Sequence, residues 1–404
     1  MMTPHKKALV YLGGSFPQVE AVKSLKSLDL YIILVDQSEA PPCLAFADLF
    51  IKASITDTAL ILTELKKLTN YEIIGAYGVA DYAYKTVAAI HKCFDIKAIR
   101  KTEYKTLNNK YITKQAISGS GILCPETIWY GERNELPGLL KEFAQKPLKS
   151  CVIKAVDQNN SKGIHILHEP SLQAFTDGLH DAFQYSSQVL IEEFIEGQIG
   201  NVDVLVLEGK SHSISTTIRL NDADTAQICT AMIQPAELWD GYQETVFGIA
   251  QQAARTLDYH TGPLTIDLLI TDSKKIYVIE ASPHFHSIQS EILRGNGSPI
   301  AAYASYLANP LGDYRKYIAR NHTHGMFCYQ KFHTQRGRIK SICGMEDNQF
   351  KKHLRSYKLF SQEGDIINNS NNRKELLGLF WCEYSSLKEK EALLYHLEKN
   401  IYTT

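Results

Sequence analysis

The sequence predicts a protein of mixed α/β and α+β class that is divided into several domains, and three observations lead to this prediction. Up to about residue 105, short apolar strands alternate with segments of helical periodicity. From about residue 106, apolar strands come in pairs separated by short polar turns, as in hairpins. The chain of 404 residues is also longer than one ordinary domain, so about two to four domains are expected.

The N-terminal region is predicted to be an open, parallel α/β layer. The buried-type strand Ala8–Leu12 ends in a Gly13-Gly14 turn that leads into a helix, and the next strand ends at Asp36. This arrangement is similar to a dinucleotide-binding fingerprint, but it lacks the G-x-G-x-x-G spacing, and Pro17 has no backbone N–H donor. A tight strand-to-helix turn explains the glycines, and we favour it over a cofactor site.

The composition argues against a polymeric or membrane partner. Lys and Arg (43) nearly balance Asp and Glu (44), and no block of like charges indicates a nucleic-acid backbone or an anionic membrane surface. The first apolar run is too short for a signal peptide, and no apolar stretch approaches a membrane span. The eight cysteines form no Cys-x-x-Cys pair and are expected to be reduced. These features predict a cytoplasmic protein that acts on small molecules.

Two acids are predicted to be neighbours on a hairpin. The apolar runs Leu264–Ile270 and Ile276–Glu280 flank a polar turn, Asp272–Lys275. The hairpin register could place the carboxylates of Asp267 and Glu280 in one patch, and such a pair suits Mg²⁺ when nucleotide phosphates supply other ligands. Taken alone, however, the pair does not outweigh the simpler interpretation of an edge-strand acid and a turn residue.

Upstream segments have features that a nucleotide requires. A helix is predicted to begin at Lys110 and to stop at Gly119. Lys154 lies in a strand that leads into the polar loop Asp157–Gly163, whose backbone N–H groups can face phosphate oxygens. The strand Gln188–Glu193 runs into acidic and apolar residues that could hold a purine ring. In isolation, the segment around Lys154 is better explained as an ordinary exposed hairpin.

In this order the segments resemble the ATP-grasp superfamily, specifically its branch of carboxylate–amine ligases, which includes biotin carboxylase and the large subunit of carbamoyl-phosphate synthase. The resemblance covers nearly the whole chain. The motifs that carry it are Asn109-Lys110-x-x-x-Lys114 with Gly121-x-x-x-Pro125, Val152-Ile153-Lys154 with Ser161-Lys162-Gly163-Ile164, the run Leu190 to Gly197, and Asp267 with Ile279-Glu280-x-Ser282-Pro283-His284.

The resemblance implies a domain order and a chemistry. A Rossmann-like domain (residues 1–105) would precede a two-lobed ATP-grasp domain (106–320) with a mobile small lobe (151–195), and a small C-terminal α+β domain (321–404) would follow. ATP would phosphorylate a small carboxylate to an acylphosphate, and an amine would attack it to form an amide or peptide bond. ATP and Mg²⁺ are the implied cofactors, with Mn²⁺ as an alternative metal. Amino acids are the expected substrates, and a homodimer is compatible with this branch.

The resemblance also assigns site residues one by one. The assigned roles are phosphate binding by Lys110 and Lys154, closure of a loop by Ser161, Lys162, Gly163 and Ile164, adenine contacts by Glu192, Glu193, Phe194 and Ile195, metal binding by Asp267, Glu280 and Ser282, and substrate contacts in the catalytic pocket by His284 and Arg294.

Three positions depart from the family pattern. Ile199 stands where a glutamate commonly reaches the ribose, and Ser282 stands where an asparagine is usual. His284 replaces an arginine, so that an obligate cation becomes a group that can be neutral at pH 7. Two hypotheses about this protein follow. It is either an active ligase whose pocket has changed to accept another substrate, or a degenerate relative that binds a nucleotide or metabolite without turnover. The retained lysines and metal acids favour the active ligase.

Overall fold

The computed structural model describes most of the chain. The described residues are 6–98, 101–158, 162–221, 229–234, 241–286, 298–318, 324–333, 335–368 and 375–404, without the side chains of residues 101–102. Among them, no helix is long and apolar enough to cross a membrane. All eight cysteines are free thiols, as the sequence predicts.

The N-terminal region forms a four-stranded parallel sheet, which confirms the predicted layer. Its elements are β1 (Lys6–Leu12), α1 (Val19–Lys26), β2 (Tyr31–Asp36), β3 (Leu49–Lys52), α2 (Thr58–Lys66), β4 (Tyr71–Gly78), α3 (Tyr84–Cys93) and α4 (Lys101–Leu107). The strand order is β3-β2-β1-β4, with parallel neighbours throughout. Because β1 and β2 are buried along most of their length, they consist of unbroken apolar runs rather than alternating ones.

A second, antiparallel sheet forms a small lobe. The elements of this part of the chain are α5 (Lys110–Ser118), β5 (Thr127–Glu132), α6 (Leu136–Gln145), β6 (Ser150–Ala155), β7 (Ile164–His168), α7 (Leu172–Tyr185) and β8 (Gln188–Glu193). The strand order is β5-β8-β6-β7. Phe143 of α6 stacks on Phe175 of α7 with 4.0 Å between ring centroids, so the two helices share one apolar core with the sheet.

The large lobe is built on an eight-stranded sheet. The remaining elements are β9 (Gln198–Leu207), β10 (Lys210–Asn221), β11 (Cys229–Gln234), α8 (Gln243–Thr256), β12 (Gly262–Ile270), β13 (Ile276–Ser282), α9 (Pro299–Ala308), β14 (Gly325–Phe332), β15 (Gly337–Arg338), β16 (Ile342–Cys343), α10 (Asn348–His353), β17 (Leu354–Leu359), β18 (Ile366–Ile367), β19 (Leu376–Tyr384), α11 (Leu387–Tyr395) and β20 (Tyr402–Thr403). The order in the large sheet is β13-β12-β9-β10-β11-β14-β19-β17. The parallel layer and the two antiparallel lobes confirm the predicted fold class.

The large sheet contains strands on both sides of the boundary predicted at residue 320. β14 pairs with β11 in antiparallel fashion, and β19 and β17 extend the sheet from there. The sequence did not predict this continuity, because strand partners far apart in the chain leave no local pattern. The division into three domains stays a prediction.

Candidate active site

Helix α5 places two lysines at the junction of the two lobes. The Asn109 side chain caps the helix by accepting the N–H groups of Tyr111 and Ile112. Lys110 and Lys114 lie one turn apart and are both buried. The Lys110 N–H donates to the Val156 carbonyl, just after β6, which ties the start of the helix to the small lobe.

One buried carboxylate of the small lobe is shared by two lysines. Lys154 Nζ lies 2.6 Å from Glu192 Oε2, and the Lys114 ammonium contacts the other oxygen. Burial alone would raise the pKa of Glu192, but Lys154 and Lys114 hold it below its usual value. Burial and the neighbouring Lys154 lower the pKa of Lys114 to about 8. We call Lys114, Lys154 and Glu192 the lysine–glutamate cluster, which carries a net positive charge when both lysines are protonated.

The two predicted metal ligands face each other across a hairpin. Asp267 of β12 pairs directly with Glu280 of β13, which confirms the predicted register. Asp267 Oδ1 lies 2.7 Å from Arg219 Nη2, and Glu280 Oε1 lies 2.7 Å from Lys110 Nζ. Burial alone would raise the pKa of Asp267, but the charge of Arg219 holds it below its usual value. Both acids are therefore neutralised by cations of the chain itself.

The donors in this patch fit a magnesium ion that also binds phosphate. Among the described residues, no group of three His, Cys, Asp or Glu side chains is arranged to hold a metal. Two neighbouring carboxylates are nevertheless the usual protein share of a Mg²⁺ site, because phosphates and waters supply the remaining ligands. Ser282 lies two residues beyond Glu280 on the same strand, so its side chain is on the same face. We therefore keep Ser282 as a predicted ligand.

His284 is held as a cation by an acid of the N-terminal region. Its Nε2 lies 2.9 Å from Asp81 Oδ1, and its Nδ1 lies 3.2 Å from the Phe285 carbonyl oxygen. Because a carboxylate and a carbonyl only accept hydrogen bonds, both ring nitrogens donate, and the ring is an imidazolium. Burial would lower the pKa of His284, but Asp81 raises it above its usual value. The hydrogen-bond partners and the direction of this pKa shift both favour the charged form of His284.

Replacing Asp81 by asparagine is expected to destabilise the protein in a pH-dependent way. The stabilisation from the raised pKa of His284 is complete below its ordinary value of about 6.5 and is lost as the pH rises through the folded value. Asp81 has a lowered pKa in the folded protein. The stabilisation that it contributes is therefore present above about pH 3.9 and is lost as the pH falls through its folded-state pKa. We expect Asp81→Asn to lower the free energy of unfolding by about 2–3 kcal/mol near pH 5–6 and by less at pH 9.

Denaturant unfolding at several pH values measures this effect. Glu64→Gln is the control, because Glu64 pairs with Lys67 on the surface and its loss should change stability by less than about 1 kcal/mol. A cost of Asp81→Asn that is constant or grows between pH 6 and 9 would contradict the assignment of His284 as a cation.

Arg219 and His286 form a second pair beside Asp267. Arg219 Nη2 lies 2.9 Å from His286 Nε2, and a guanidinium can only donate, so this histidine nitrogen is the acceptor. The distance from His286 Nε2 to Asp267 Oδ1 is 3.6 Å, which is too long for a hydrogen bond. The structure places Arg219 against a predicted metal ligand.

The predicted adenine-contacting residues are divided between two environments. Glu192 is fully buried in the lysine–glutamate cluster, whereas Glu193 is half-buried and accepts the Glu126 N–H at 3.0 Å. The Phe194 ring meets the His168 ring edge-on, with 4.6 Å between centroids. Ile195 follows β8 and is half-buried. Their contact with adenine stays a prediction.

The loop between β6 and β7 is described only in part. Ser161 lies outside the described residues, as does Arg294 of the predicted substrate pocket. Lys162 is exposed, and Ile164 begins β7. Lys110 also reaches this loop, because its ammonium donates to the Gln158 carbonyl. The loop therefore begins beside a predicted phosphate lysine.

Replacing Gly163 by alanine is expected to lower the free energy of unfolding by about 1–3 kcal/mol. Gly163 has φ +65°, and a Cβ atom there would lie 2.9 Å from Cβ of Ala155. Gly138→Ala in α6 is the control, since nothing lies within 4 Å of its added carbon. That control should be neutral or stabilising by up to about 1 kcal/mol. Equal stability of Gly163→Ala and wild type in thermal unfolding would refute a structural role for this glycine.

The alternative dinucleotide site is explained by local hydrogen bonds. Asp36 accepts the Gly14 N–H at 2.7 Å and the Ser38 N–H at 2.8 Å, so both carboxylate oxygens are used by its own turns. Gly13 has φ +98°, a conformation that glycine adopts readily. The tight turn that we favour from the sequence accounts for these residues.

Two antiparallel lobes, lysines on the helix between them and a facing pair of carboxylates make up the candidate site. Residues 107–287 match the family model of the ATP-grasp domain. The chain therefore contains an ATP-grasp domain, which confirms the resemblance to the ATP-grasp superfamily.

Individual relatives agree with this result. A D-alanine–D-alanine ligase of Geotalea uraniireducens is 28% identical over 200 residues, which are 47% of this chain and 61% of the ligase. The chain thus spans about three fifths of that relative's length. The crystal structure of an L-amino acid ligase from Bacillus licheniformis superposes with a TM-score of 0.82 and 16% identity, over 100% of this chain and 99% of the other. A carboxyaminoimidazole ribonucleotide synthase from Aspergillus clavatus, complexed with ATP, gives a TM-score of 0.72 and 14% identity with 97% of each chain covered. At these identities the two structures establish the fold.

Proposed function

We propose that this protein is an ATP-dependent ligase that converts a small carboxylate to an acylphosphate and joins it to an amine. The observation that carries the proposal is the array of charges around helix α5. Lys110 contacts Glu280, which faces Asp267, and Lys154 is linked to the same helix because it shares Glu192 with Lys114. Cations and paired acids in one cleft are what transfer of a phosphoryl group from ATP requires.

In the first step, a carboxylate oxygen of the substrate attacks the γ-phosphorus of ATP, and ADP leaves. In the second step, the amine nitrogen attacks the acyl carbon, inorganic phosphate leaves, and the nitrogen loses a proton. Lys110 and Lys154 would bind the phosphates and offset the charge that spreads over the transferring group. Mg²⁺ held by Asp267 and Glu280 would add charge neutralisation when bound.

The remaining residues would position the substrates. Glu193, Phe194 and Ile195 would contact adenine along the end of β8, with Glu192 held close by in the lysine–glutamate cluster. The loop Ser161–Ile164 would close over the phosphates and keep water from the acylphosphate. His284 and Arg294 would contact the substrate that carries the carboxylate.

Amino acids are the proposed substrates. This proposal is supported by the names of two similar proteins, a D-alanine–D-alanine ligase and an L-amino acid ligase. The charged His284, which stands where the family has arginine, would keep a cation in the pocket but remove the bidentate fork of a guanidinium. We therefore propose that the carboxylate substrate or the amine substrate differs from those of family members that have the arginine.

Phosphate release from ATP and Mg²⁺ across pools of amino acids and small carboxylates tests the proposal. Release that depends on one pool is expected and leads directly to the substrate. The alternative is a protein that binds nucleotide without turnover; it is favoured if ATP binds and no pool stimulates release. If ATP does not bind, the assignment of Lys110, Lys154, Asp267 and Glu280 is wrong.

A further inference from the structure

Asp203 is an aspartate that the proposed mechanism does not use, and protein atoms enclose it completely. It lies in the middle of β9, opposite Ser215 of β10 on one side and opposite Thr265 of β12 on the other. We propose that Asp203 is a protonated, neutral carboxylic acid whose proton fixes the hydrogen bond between Thr265 and the His284 carbonyl. Its importance for the substrate pocket rests on the proposed function, because His284 is a proposed substrate contact.

The hydrogen bonds around Thr265 require one more proton than this residue supplies. Thr265 Oγ1 lies 2.6 Å from Asp203 Oδ1 and 2.7 Å from the His284 carbonyl oxygen. A threonine hydroxyl has one proton to donate, and a carbonyl oxygen only accepts, so the Thr265 proton points to His284 when both contacts are hydrogen bonds. Asp203 Oδ1 is then the donor in the other contact. A carboxyl group donates only when it is protonated.

The second oxygen of Asp203 fits the carbonyl of a neutral acid. Asp203 Oδ2 accepts the hydroxyl proton of Ser215 at 2.8 Å. One directed chain of hydrogen bonds results, in which Ser215 donates to Asp203 and Asp203 donates to Thr265. The chain ends where Thr265 donates to the main chain of His284. Every hydroxyl and carboxyl proton in it has an acceptor.

The surroundings of Asp203 also disfavour its charged form. Asp267 is paired with Arg219, whereas Asp203 has only hydroxyl partners among the side chains that the structure describes. Burial raises the pKa of Asp203 above its usual value, and the carboxylate of Asp267 acts in the same direction. The other titratable groups near it are His286 and Tyr77. No cation of the chain therefore pays for a buried charge at this position.

The chain of hydrogen bonds ends at the segment that carries a predicted substrate contact. Thr265 of β12 holds the His284 carbonyl, and the next main-chain N–H, that of Phe285, donates to Tyr77 Oη at 3.2 Å. Because Asp203 donates to the Thr265 oxygen, the Thr265 proton is left to point to His284. Asp203 is therefore a positioning residue for this segment, and it does not itself touch a substrate.

Infrared spectroscopy of the full chain at pH 7 tests whether the proton is present. Labelling the aspartate side chains of wild type with ¹³C should shift the carbonyl stretch of one protonated carboxylic acid, and Asp203→Asn should remove this band. Asp267→Asn is the matched control, because Asp267 lies on the neighbouring strand but is paired with Arg219, and it should keep the band. A wild-type spectrum without a protonated aspartic acid, or a band that survives in Asp203→Asn, would overturn the inference.

Two substitutions of similar shape test the positioning role, with the NMR signal of the His284 ring as the readout. Asp203→Asn should leave this signal in place, because an amide also offers one donor to Thr265 and one acceptor to Ser215. Thr265→Val removes the hydroxyl and should shift the signal. It should also raise the amino-acid concentration for half-maximal phosphate release about tenfold, while the value for ATP stays within about twofold of wild type.

The outcomes separate this inference from the proposed function. A folded Thr265→Val protein with an unchanged His284 signal would overturn the positioning role, as would a shift that Asp203→Asn alone produces. If the infrared band and the His284 signal behave as expected while no amino-acid pool stimulates phosphate release, the inference stands and the proposed function fails.

Discussion

Substrate-dependent phosphate release by the Lys154→Ala variant is expected to fall by about 10²–10³-fold relative to wild type. The Lys154 ammonium lies on β6 at the lobe junction, with 9% of its side chain exposed. A buried cation stabilises charge that develops on a transferring phosphoryl group far more strongly than a solvated one, and it needs no reorganisation during the reaction. Initial rates at saturating ATP and substrate measure the effect.

Lys149→Ala is the control for this variant. Lys149 lies immediately before the same strand and is exposed, so its loss should leave the rate within about twofold of wild type. The fold of Lys154→Ala is checked by its thermal transition, since Glu192 keeps Lys114 as a partner. A folded Lys154→Ala protein that releases phosphate at the wild-type rate would remove this lysine from the reaction.

Replacing Glu192 by glutamine is expected to lower the free energy of unfolding by about 3–5 kcal/mol. The Glu192 carboxylate has no exposed surface and is the shared partner of Lys114 and Lys154. An amide of the same shape removes the negative charge and leaves two neighbouring lysine cations buried together. Denaturant unfolding at pH 7 measures the loss.

Glu193→Gln controls for the loss of a carboxylate on the same strand. Glu193 is half-buried and accepts the Glu126 N–H, which a glutamine oxygen can also do. Its replacement should change the free energy of unfolding by less than about 1 kcal/mol. Similar costs for the two variants would mean that the lysine–glutamate cluster adds no stability of its own.

Features that depend on local periodicity were predictable from the sequence. The pairing of Asp267 with Glu280 follows from two apolar strands and a short turn, because side chains alternate with a period of two and the turn limits the register. The helix that carries Lys110 ends at Ser118, as the glycine after it predicts. The parallel N-terminal layer follows from alternating strands and helices.

Contacts between distant segments were not predictable in the same way. Asp81 contacts His284, which lies 203 positions away in the sequence. No pattern around either residue predicts this contact. One general signal was available for Asp81, because ligand sites of parallel sheets lie beyond the carboxyl ends of the strands and Asp81 follows β4. The contact between Glu192 and Lys114 was also not predictable, because Lys114 lies on a helix 78 positions away in the sequence.

The proposed transfer of phosphate from ATP to a carboxylate is tested most directly by the fate of the carboxylate oxygen. Amino-acid pools labelled with ¹⁸O in their carboxylates are incubated with protein, ATP and Mg²⁺, and the released phosphate is analysed by mass spectrometry. An acylphosphate takes its bridging oxygen from the substrate, so each phosphate released by amine attack should carry one labelled oxygen. Unlabelled phosphate would show that water attacks ATP, and no release from folded protein would show that the site does not turn over; either result would contradict the ligase assignment.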